Sequence, residues 1–226
     1  MEKSVLRFFA SLPAAFVVFA ALGPFSVTAS GACTIDGEER EVLTTVLKSM
    51  SEGSDSVLVV ESRTDSSHFA RTFRLEDLLL HDAMSELPSQ LKAAPSGGTV
   101  FVSVPAPIIP EIKQRELEQE YKAKLSQPCR IPALRNGSKV LLRTPAQVKE
   151  IFGSDPIAGW TRFHQLFGEN AESVTLSRVA FDAKKQYALV HVSSGLSEMA
   201  GGGELYLLAR FNGNWVIKRR FSTWTT

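Results

Sequence analysis

The second half of the chain constrains the fold most, because four strand-like runs follow one another there with short connections. These runs cover residues 174–181, 187–193, 204–211 and 215–224. Asn212-Gly213 joins the last two runs, and this dipeptide is typical of a tight β-hairpin turn because both positions need a positive φ. Since consecutive hairpins place neighbouring runs side by side, the pattern predicts an antiparallel β-meander.

An aromatic helix precedes these runs and is the predicted cover for one face of the sheet. Asp155-Pro156 is a typical helix start, and Gly168 is a typical helix end. The apolar side chains at helical spacing between them are Ile157, Trp160, Phe163 and Phe167. The predicted fold class is therefore α+β, with an antiparallel β-meander covered by helices.

The first half of the chain is predicted to be mixed α/β. Asp36 and Glu39 form a capping box, and the helix that follows them has one apolar face. The continuous apolar run at 57–60 predicts a buried strand. Further along, the spacing of leucines predicts a helix at 75–83, and β-branched residues predict a strand at 99–104.

These elements divide the chain into four predicted regions. We expect a signal peptide at 1–29, an N-terminal α+β region at 33–104, a proline-rich connector with a surface helix at 105–137, and a helix-plus-meander region at 138–226. Three prolines within 105–110 are incompatible with regular helix or central strand there. The sequence leaves open whether the last region shares one core with the N-terminal region.

The first residues have the order of a secretory signal. Lys3 and Arg7 form a basic start, residues 8–23 are almost wholly apolar, and small residues lead up to a predicted cleavage after Ala29. The apolar run is too short for a membrane span, and no later run approaches that length. We therefore expect an exported mature chain without a transmembrane helix, located in the periplasm or outside the cell.

The composition is that of a globular protein, with 44% hydrophobic and 22% charged residues and a formal net charge of +1. A near-neutral chain lacks the broad basic field of nucleic-acid-binding proteins, so we expect no nucleic-acid partner. The four histidines are not spaced as metal ligands, and neither cysteine joins them. We predict no metal site and no cofactor.

Two cysteines, Cys33 and Cys129, occur in the chain. In an exported protein the two are expected to pair as a disulfide. An alternative is that Ser30-Gly31-Ala32-Cys33, which resembles a lipoprotein cleavage box, makes Cys33 a lipid anchor. A third alternative is that both thiols are free.

Five segments of the second half resemble a group of exported bacterial proteins in which a short aromatic helix is followed by a β-meander with a glycine-rich loop. The segments are 160–167, 176–181, 187–192, Gly201-Gly202-Gly203 and Gly213-Asn214-Trp215. The resemblance covers about residues 157–226. It implies a bacterial source and an envelope location, and it carries over no activity and no catalytic residue.

The stretch 193–203 is rich in glycine and is predicted to be a long hairpin connection. As a mobile loop it would present Leu196 and Met199 to a partner. Its segment 195–199 nearly matches the nucleophile elbow of hydrolases, but the second glycine and the following helix are missing. We predict no catalytic residue there.

Arg178 and His191 form a polar spot suited to an anionic ligand if their strands pair in register. The basic run at 218–220 protects a sheet edge against aggregation or, alternatively, contacts anionic lipid or glycan.

These observations favour an exported bacterial envelope protein that acts as a non-enzymatic binding or scaffold module. The expected partner is another envelope protein or a glycan. One alternative is a hydrolase or isomerase with a pocket between the aromatic helix and the sheet. Another is an inhibitor or immunity-type protein that blocks a partner through its loops.

Overall fold

A computed structural model describes residues 33–64, 74–79, 109–134 and 139–226. Its helices are α1 (Gly37–Ser51), α2 (Glu111–Leu125), α3 (Pro145–Phe152) and α4 (Pro156–Phe167), and residues 75–79 are also helical. Its strands are β1 (Leu58–Glu61), β2 (Val140–Arg143), β3 (Glu172–Leu176), β4 (Ala180–Phe181), β5 (Tyr187–Ser197), β6 (Ala200–Phe211) and β7 (Asn214–Thr225). The predicted export signal and the strand predicted at 99–104 lie outside the described residues. Residues 105–108 and 135–137 of the connector region and residues 80–83 of the helix predicted at 75–83 also lie outside them.

The seven strands of the described residues form one mixed sheet in the order β2-β1-β3-β5-β6-β7, and the short β4 also pairs with β5. Strand β1 runs parallel to β2 and β3, whereas the other pairs are antiparallel. The predicted α+β class is confirmed in this form. The sheet departs from a pure meander because the chain between β1 and β2 contains α2, and such a crossover allows parallel pairing.

Local turn and capping signals are confirmed. The backbone of Asn212 has a φ of 48° and that of Gly213 a φ of 81°, as the predicted hairpin turn requires. The side chain of Asp36 accepts a hydrogen bond from the backbone N–H of Glu39, and the side chain of Glu39 accepts one from the backbone N–H of Asp36. The predicted capping box therefore starts α1.

Helix α1 covers one face of the sheet. Its buried apolar side chains are Val42, Leu43, Val46 and Leu47. They pack in one cluster with every second residue of the strands, namely Leu58, Val60, Val174, Leu176, Val190, Val192, Tyr206 and Leu208. The cluster therefore joins elements from both halves of the chain on a single sheet face.

Helix α2 lies against the opposite face of the sheet. Leu117, Tyr121 and Leu125 pack there with strand residues such as Leu189 and Leu205. The helix was expected at the surface because of its polar composition, but this apolar stripe buries one of its sides. Spacings of four residues between buried positions are enough to give a helix a buried face.

The aromatic helix α4 does not cover the central part of β5–β7, contrary to the prediction, because α1 and α2 already occupy the two faces there. It reaches β5 only at the C-terminal end of that strand, near Gly195 and Leu196. Instead Phe163 packs with Val59 of β1 and with Ala171. Its ring lies 5.3 Å from that of Trp160 and 5.1 Å from that of Phe167. Val59 points away from α1 because side chains alternate along a strand, and it provides an apolar site for α4.

A register shift in β7 corrects a second expectation. Trp215, Ile217 and Phe221 are separated by even numbers of residues, and alternation along a regular strand predicts that they share one face. The pairing of β6 with β7 shifts between Leu207 and Leu208, which leaves Lys218 as an extra residue. Trp215 and Ile217 therefore pack on the α1 side, whereas Phe221 packs on the α2 side.

The predicted disulfide is confirmed, with Cys33 and Cys129 bonded and their Cα atoms 4.6 Å apart. A sulfur in this bond has no free valence for the thioether of a lipid anchor. Among the described residues, no helix is long and apolar enough to span a bilayer.

Candidate functional site

A groove with a volume of about 550 Å³ lies between α1 and the turn that joins β6 to β7. Its lining residues are Arg40, Glu41, Thr44, Thr45, Lys48, Arg210, Gly213, Asn214 and Trp215. This volume is within the range of about 300–1,000 Å³ that is usual for small-ligand sites.

Two local features build the groove. Arg40, Thr44 and Lys48 are spaced four residues apart and therefore line one side of α1. The hairpin turn at Asn212-Gly213 brings Arg210 and Trp215, which are paired across it, to the other wall. The capping box that starts α1 and the hairpin dipeptide thus fix the positions of both walls.

The lining carries a local excess of positive charge, from Arg40, Lys48 and Arg210 against Glu41. Nη1 of Arg210 lies 3.1 Å from Oε1 of Glu38, and its guanidinium lies 5.7 Å from the Trp215 ring centre. These two contacts hold Arg210 in place. The rest of the chain is near neutral, so this grouping of cations is a local property of the groove.

Glu38 is itself held by a second cation. A hydrogen bond from Lys185 lowers the pKa of the Glu38 carboxyl, and Arg210 lowers it further, against an opposing effect of burial. The same hydrogen bond raises the pKa of Lys185. Glu38 therefore stays ionised at neutral pH and anchors Arg210 at the edge of the groove.

Two hydrogen-bond donors of groove residues are buried without a partner among the described residues. They are Nε of Arg40 and Nε1 of Trp215. Both groups can only donate, so only an acceptor can satisfy them. Leaving a buried donor unpaired costs about 1–3 kcal/mol.

Arg178, which sequence reasoning selected, is engaged in a buried ion pair. Its Nε lies 2.9 Å from Oε1 of Glu39, and its Nη2 lies 3.0 Å from Oε2. The Glu39 side chain is fully buried, and Nζ of Lys124 also lies 3.3 Å from its Oε1. This two-point contact is the geometry that a guanidinium prefers with a carboxylate.

The structure does not bring His191 to Arg178. Nε2 of His191 lies 3.0 Å from Oγ1 of Thr223, and its residue pairs with Leu205 on the α2 side of the sheet. Arg178 instead binds Glu39 of α1, on the other side. The condition that the two residues share one polar spot is not met.

Leu196 and Met199 lie at the tip of the β5–β6 hairpin and are 44% and 83% exposed. The stretch predicted as a long loop is mostly strand, because β5 reaches Ser197 and β6 begins at Ala200. His164 of α4 holds this tip, with Nε2 2.8 Å from the carbonyl oxygen of Leu196.

The glycines of this hairpin serve close packing rather than a positive φ. A Cβ on Gly203 would lie 2.1 Å from Nε1 of Trp224, and a Cβ on Gly195 would lie 3.2 Å from the Trp160 ring. The glycine content of this stretch, from which a loop was predicted, therefore has another cause. The indole rings of Trp160 and Trp224 lie so close to the backbone at Gly195 and Gly203 that they leave little room for a side chain there.

In the part of the chain that the structure describes, no group of three or more His, Cys, Asp or Glu residues could hold a metal ion. Comparison of the chain with protein-family models, curated proteins and solved structures gives no match.

The groove residues were not selected by sequence reasoning. Two signals pointed to them: cations at positions 40 and 48 on one side of a capped helix, and Arg210 two residues before the hairpin turn. Neither signal shows that the two walls meet, because α1 and the hairpin are far apart in sequence.

Proposed function

We propose that this protein is an exported, non-enzymatic binding module of the bacterial envelope, and that its ligand presents a carboxylate or phosphate to the groove between α1 and the β6–β7 turn. One observation carries the proposal. Two buried donors, on Arg40 and Trp215, have no partner in the described part of the chain, and they belong to residues of a groove that also contains Lys48 and Arg210.

An anionic oxygen matches each of these groups. It accepts from Nε of Arg40 and Nε1 of Trp215, and it is attracted by the cations on both walls. Hydrogen bonds in which one partner is ionised are about twice as strong as neutral ones. A neutral ligand with the same shape gains the two hydrogen bonds but not the Coulombic attraction.

The location is proposed on two grounds. The first residues have the basic, apolar and small order of an export signal. The disulfide between Cys33 and Cys129 is of a kind that persists in oxidising compartments. An anionic ligand at the envelope is an acidic glycan or the phosphate of a lipid headgroup, and both present the same chemistry to the groove.

A binding role is favoured over catalysis because of what lines the groove. Among the described residues that line it, Glu41 is the only acidic one, and none is His, Cys or Ser. Acid–base or nucleophilic catalysis needs at least two such groups in contact. The enzyme alternative placed its pocket between α4 and the sheet, where Phe163, Val59 and Ala171 pack against one another.

Calorimetric titration of the mature protein tests the proposal, with inorganic phosphate, glucuronate and glucose as separate probes. We expect phosphate or glucuronate to bind and glucose not to bind. Whichever anion binds more tightly identifies the source, since phosphate represents a lipid headgroup and glucuronate an acidic glycan.

Arg40→Gln is expected to weaken anion binding about tenfold or more, the effect of one charge-assisted hydrogen bond. Lys149→Gln is the matched control, because it removes the same charge from an exposed position on α3. Absence of binding by both anions, or an equal loss in Lys149→Gln, would overturn the proposal.

A further inference from the structure

The disulfide is asymmetric in its exposure. Cys33 is exposed at the surface, whereas Cys129 is fully buried. We therefore expect an external thiolate to attack the sulfur of Cys33 rather than that of Cys129. If exchange takes place, Cys129 is the leaving group.

A guanidinium lies beside the buried sulfur. Nη1 of Arg178 is 2.7 Å from Sγ of Cys129 and 3.6 Å from Sγ of Cys33. A positive charge this close stabilises a thiolate, and a stabilised thiolate is the better leaving group. Arg178 thus favours the departure of the Cys129 sulfur, which is also the sulfur that burial protects from attack.

The buried ion pair fixes this guanidinium. Glu39 binds Nε and Nη2 of Arg178, which leaves Nη1 directed at the sulfurs. The charged groups nearby are Arg178 and Lys124, which face the carboxylate of Glu39, and Glu120, which binds Lys124 from the exposed side at 3.1 Å. Arg178 is the cation in contact with the disulfide.

Backbone hydrogen bonds hold both cysteines independently of the bond between them. The carbonyl of Cys33 accepts from N of Arg130 at 2.7 Å. The backbone N–H of Cys129 donates to Oγ1 of Thr64 at 2.8 Å, and the carbonyl oxygen of Cys129 accepts from the backbone N–H of Thr64 at 2.9 Å. After reduction these contacts keep the two thiols close enough to re-form the bond.

We propose that Cys33–Cys129 is a thiol–disulfide exchange site that accepts electrons from a dithiol, with Arg178 as the group that stabilises the leaving sulfur. This site is separate from the groove and does not depend on the proposed binding function.

The exchange balances in two steps. A thiolate of the dithiol attacks Sγ of Cys33, forms a mixed disulfide and expels Cys129 as a thiolate beside Arg178. The second thiol of the dithiol then loses its proton and attacks the dithiol's first sulfur, which is bonded to Cys33. This attack releases Cys33 from the mixed disulfide. Cys33 takes up the proton that the second thiol loses, and Cys129 stays the thiolate beside Arg178. The dithiol is oxidised to a disulfide, and the protein disulfide is reduced to one thiol and one thiolate.

Equilibration of the full-length mature protein with reduced and oxidised dithiothreitol tests this, with the reduced fraction read by mass after alkylation. Arg178→Gln is expected to shift the equilibrium about tenfold toward the disulfide, because it removes the charge that stabilises the reduced state. Glu39→Gln keeps Arg178 and the capping geometry, so its reduced fraction is expected to equal or exceed that of the natural protein.

The two variants separate this role from a structural one. Both break the buried ion pair, so a merely structural pair predicts shifts in the same direction. The proposal is supported if the reduced fraction falls in Arg178→Gln but not in Glu39→Gln. Equal shifts of the reduced fraction in the two variants overturn it.

A second measurement applies if Arg178→Gln does not fold. In Cys33→Ser, the ultraviolet absorbance of the Cys129 thiolate is titrated with pH, and the same protein unfolded in urea is the reference. We expect the folded protein to form the thiolate at lower pH than the unfolded one. A thiolate that forms only at the same or higher pH would falsify the proposal.

Discussion

Two adjacent residues of α1, Glu39 and Arg40, belong to charged clusters of opposite character. Glu39 is fully buried and contacts two cations, Arg178 and Lys124. Arg40 lines the groove, and its Nε has no hydrogen-bond partner among the described residues. On one side of the helix the charged groups are paired with one another, whereas on the neighbouring side a hydrogen-bond donor is unpaired. A single capped helix therefore contributes Glu39 to the buried ion pair and Arg40 to the lining of the groove.

The largest expected effect concerns the closed cluster and its disulfide. Replacement of both cysteines in Cys33→Ser/Cys129→Ser removes a cross-link between residues 96 apart in sequence. We expect a loss of up to about 4–5 kcal/mol in the free energy of unfolding, because the unfolded chain regains loop entropy. Urea unfolding followed by circular dichroism measures it. A loss below about 1 kcal/mol would show that the backbone contacts alone hold this region.

The comparison between neighbours gives the next effect. Glu39→Ala leaves Arg178 and Lys124 without their shared carboxylate, so we expect a loss of about 3 kcal/mol in unfolding free energy. Arg40→Ala is the matched control and is expected to change it by less than about 1 kcal/mol, since it removes an unpaired buried donor. If urea unfolding shows equal losses of unfolding free energy in Glu39→Ala and Arg40→Ala, the distinction between the paired and the unpaired side of α1 is wrong.

A smaller effect on stability should accompany a clear effect on binding in Trp215→Phe. The substitution removes the unpartnered Nε1 and keeps an aromatic ring against Phe181, whose ring centre lies 5.6 Å away. We expect less than about 1.5 kcal/mol of change in unfolding free energy, as for other conservative core replacements. Anion affinity measured by calorimetry is expected to fall about fivefold or more, from the loss of one hydrogen bond. An unchanged affinity would remove Trp215 from the site.

The smallest effect is a pH dependence at the edge of the groove. The pKa of Glu38 in the folded protein is lowered from 4.5 by its hydrogen bond to Lys185. The contribution of Glu38 to the free energy of unfolding is therefore present above about pH 4.5. It is lost as the pH falls through the lowered pKa of Glu38 in the folded protein. Glu38→Gln is expected to flatten the acid limb of stability against pH, measured by thermal unfolding between pH 6 and pH 3. An unchanged acid limb would show that Glu38 does not couple to folding.

The parts of the fold that depend on neighbouring residues were predictable from the sequence. The capping box of Asp36 and Glu39 and the hairpin turn at Asn212-Gly213 each lie within a few residues, so their signals are local. The disulfide was predictable because the sequence has two cysteines and a predicted export signal, and oxidising compartments favour pairing.

The parts that depend on distant residues were not predictable. Glu39 and Arg178 are far apart in the chain, and no local pattern states that they meet. The extra residue at Lys218 reverses the faces of the strand on either side of it, and alternation alone cannot reveal a bulge. The groove depends on both the position of α1 and the register of β7, so it was also missed.

The position of β1 in the sheet has a consequence for the order of folding. Leu58 lies between Val140 of β2 and Glu172 of β3, and both partners are synthesised long after β1 itself. The early strand therefore has no ladder on either side until most of the chain is available. Pairings that are so distant in sequence slow folding, because loop entropy is lost before the contacts form. We therefore expect the chain to remain unfolded while it is being made, in a state in which a polypeptide can be threaded through a narrow channel.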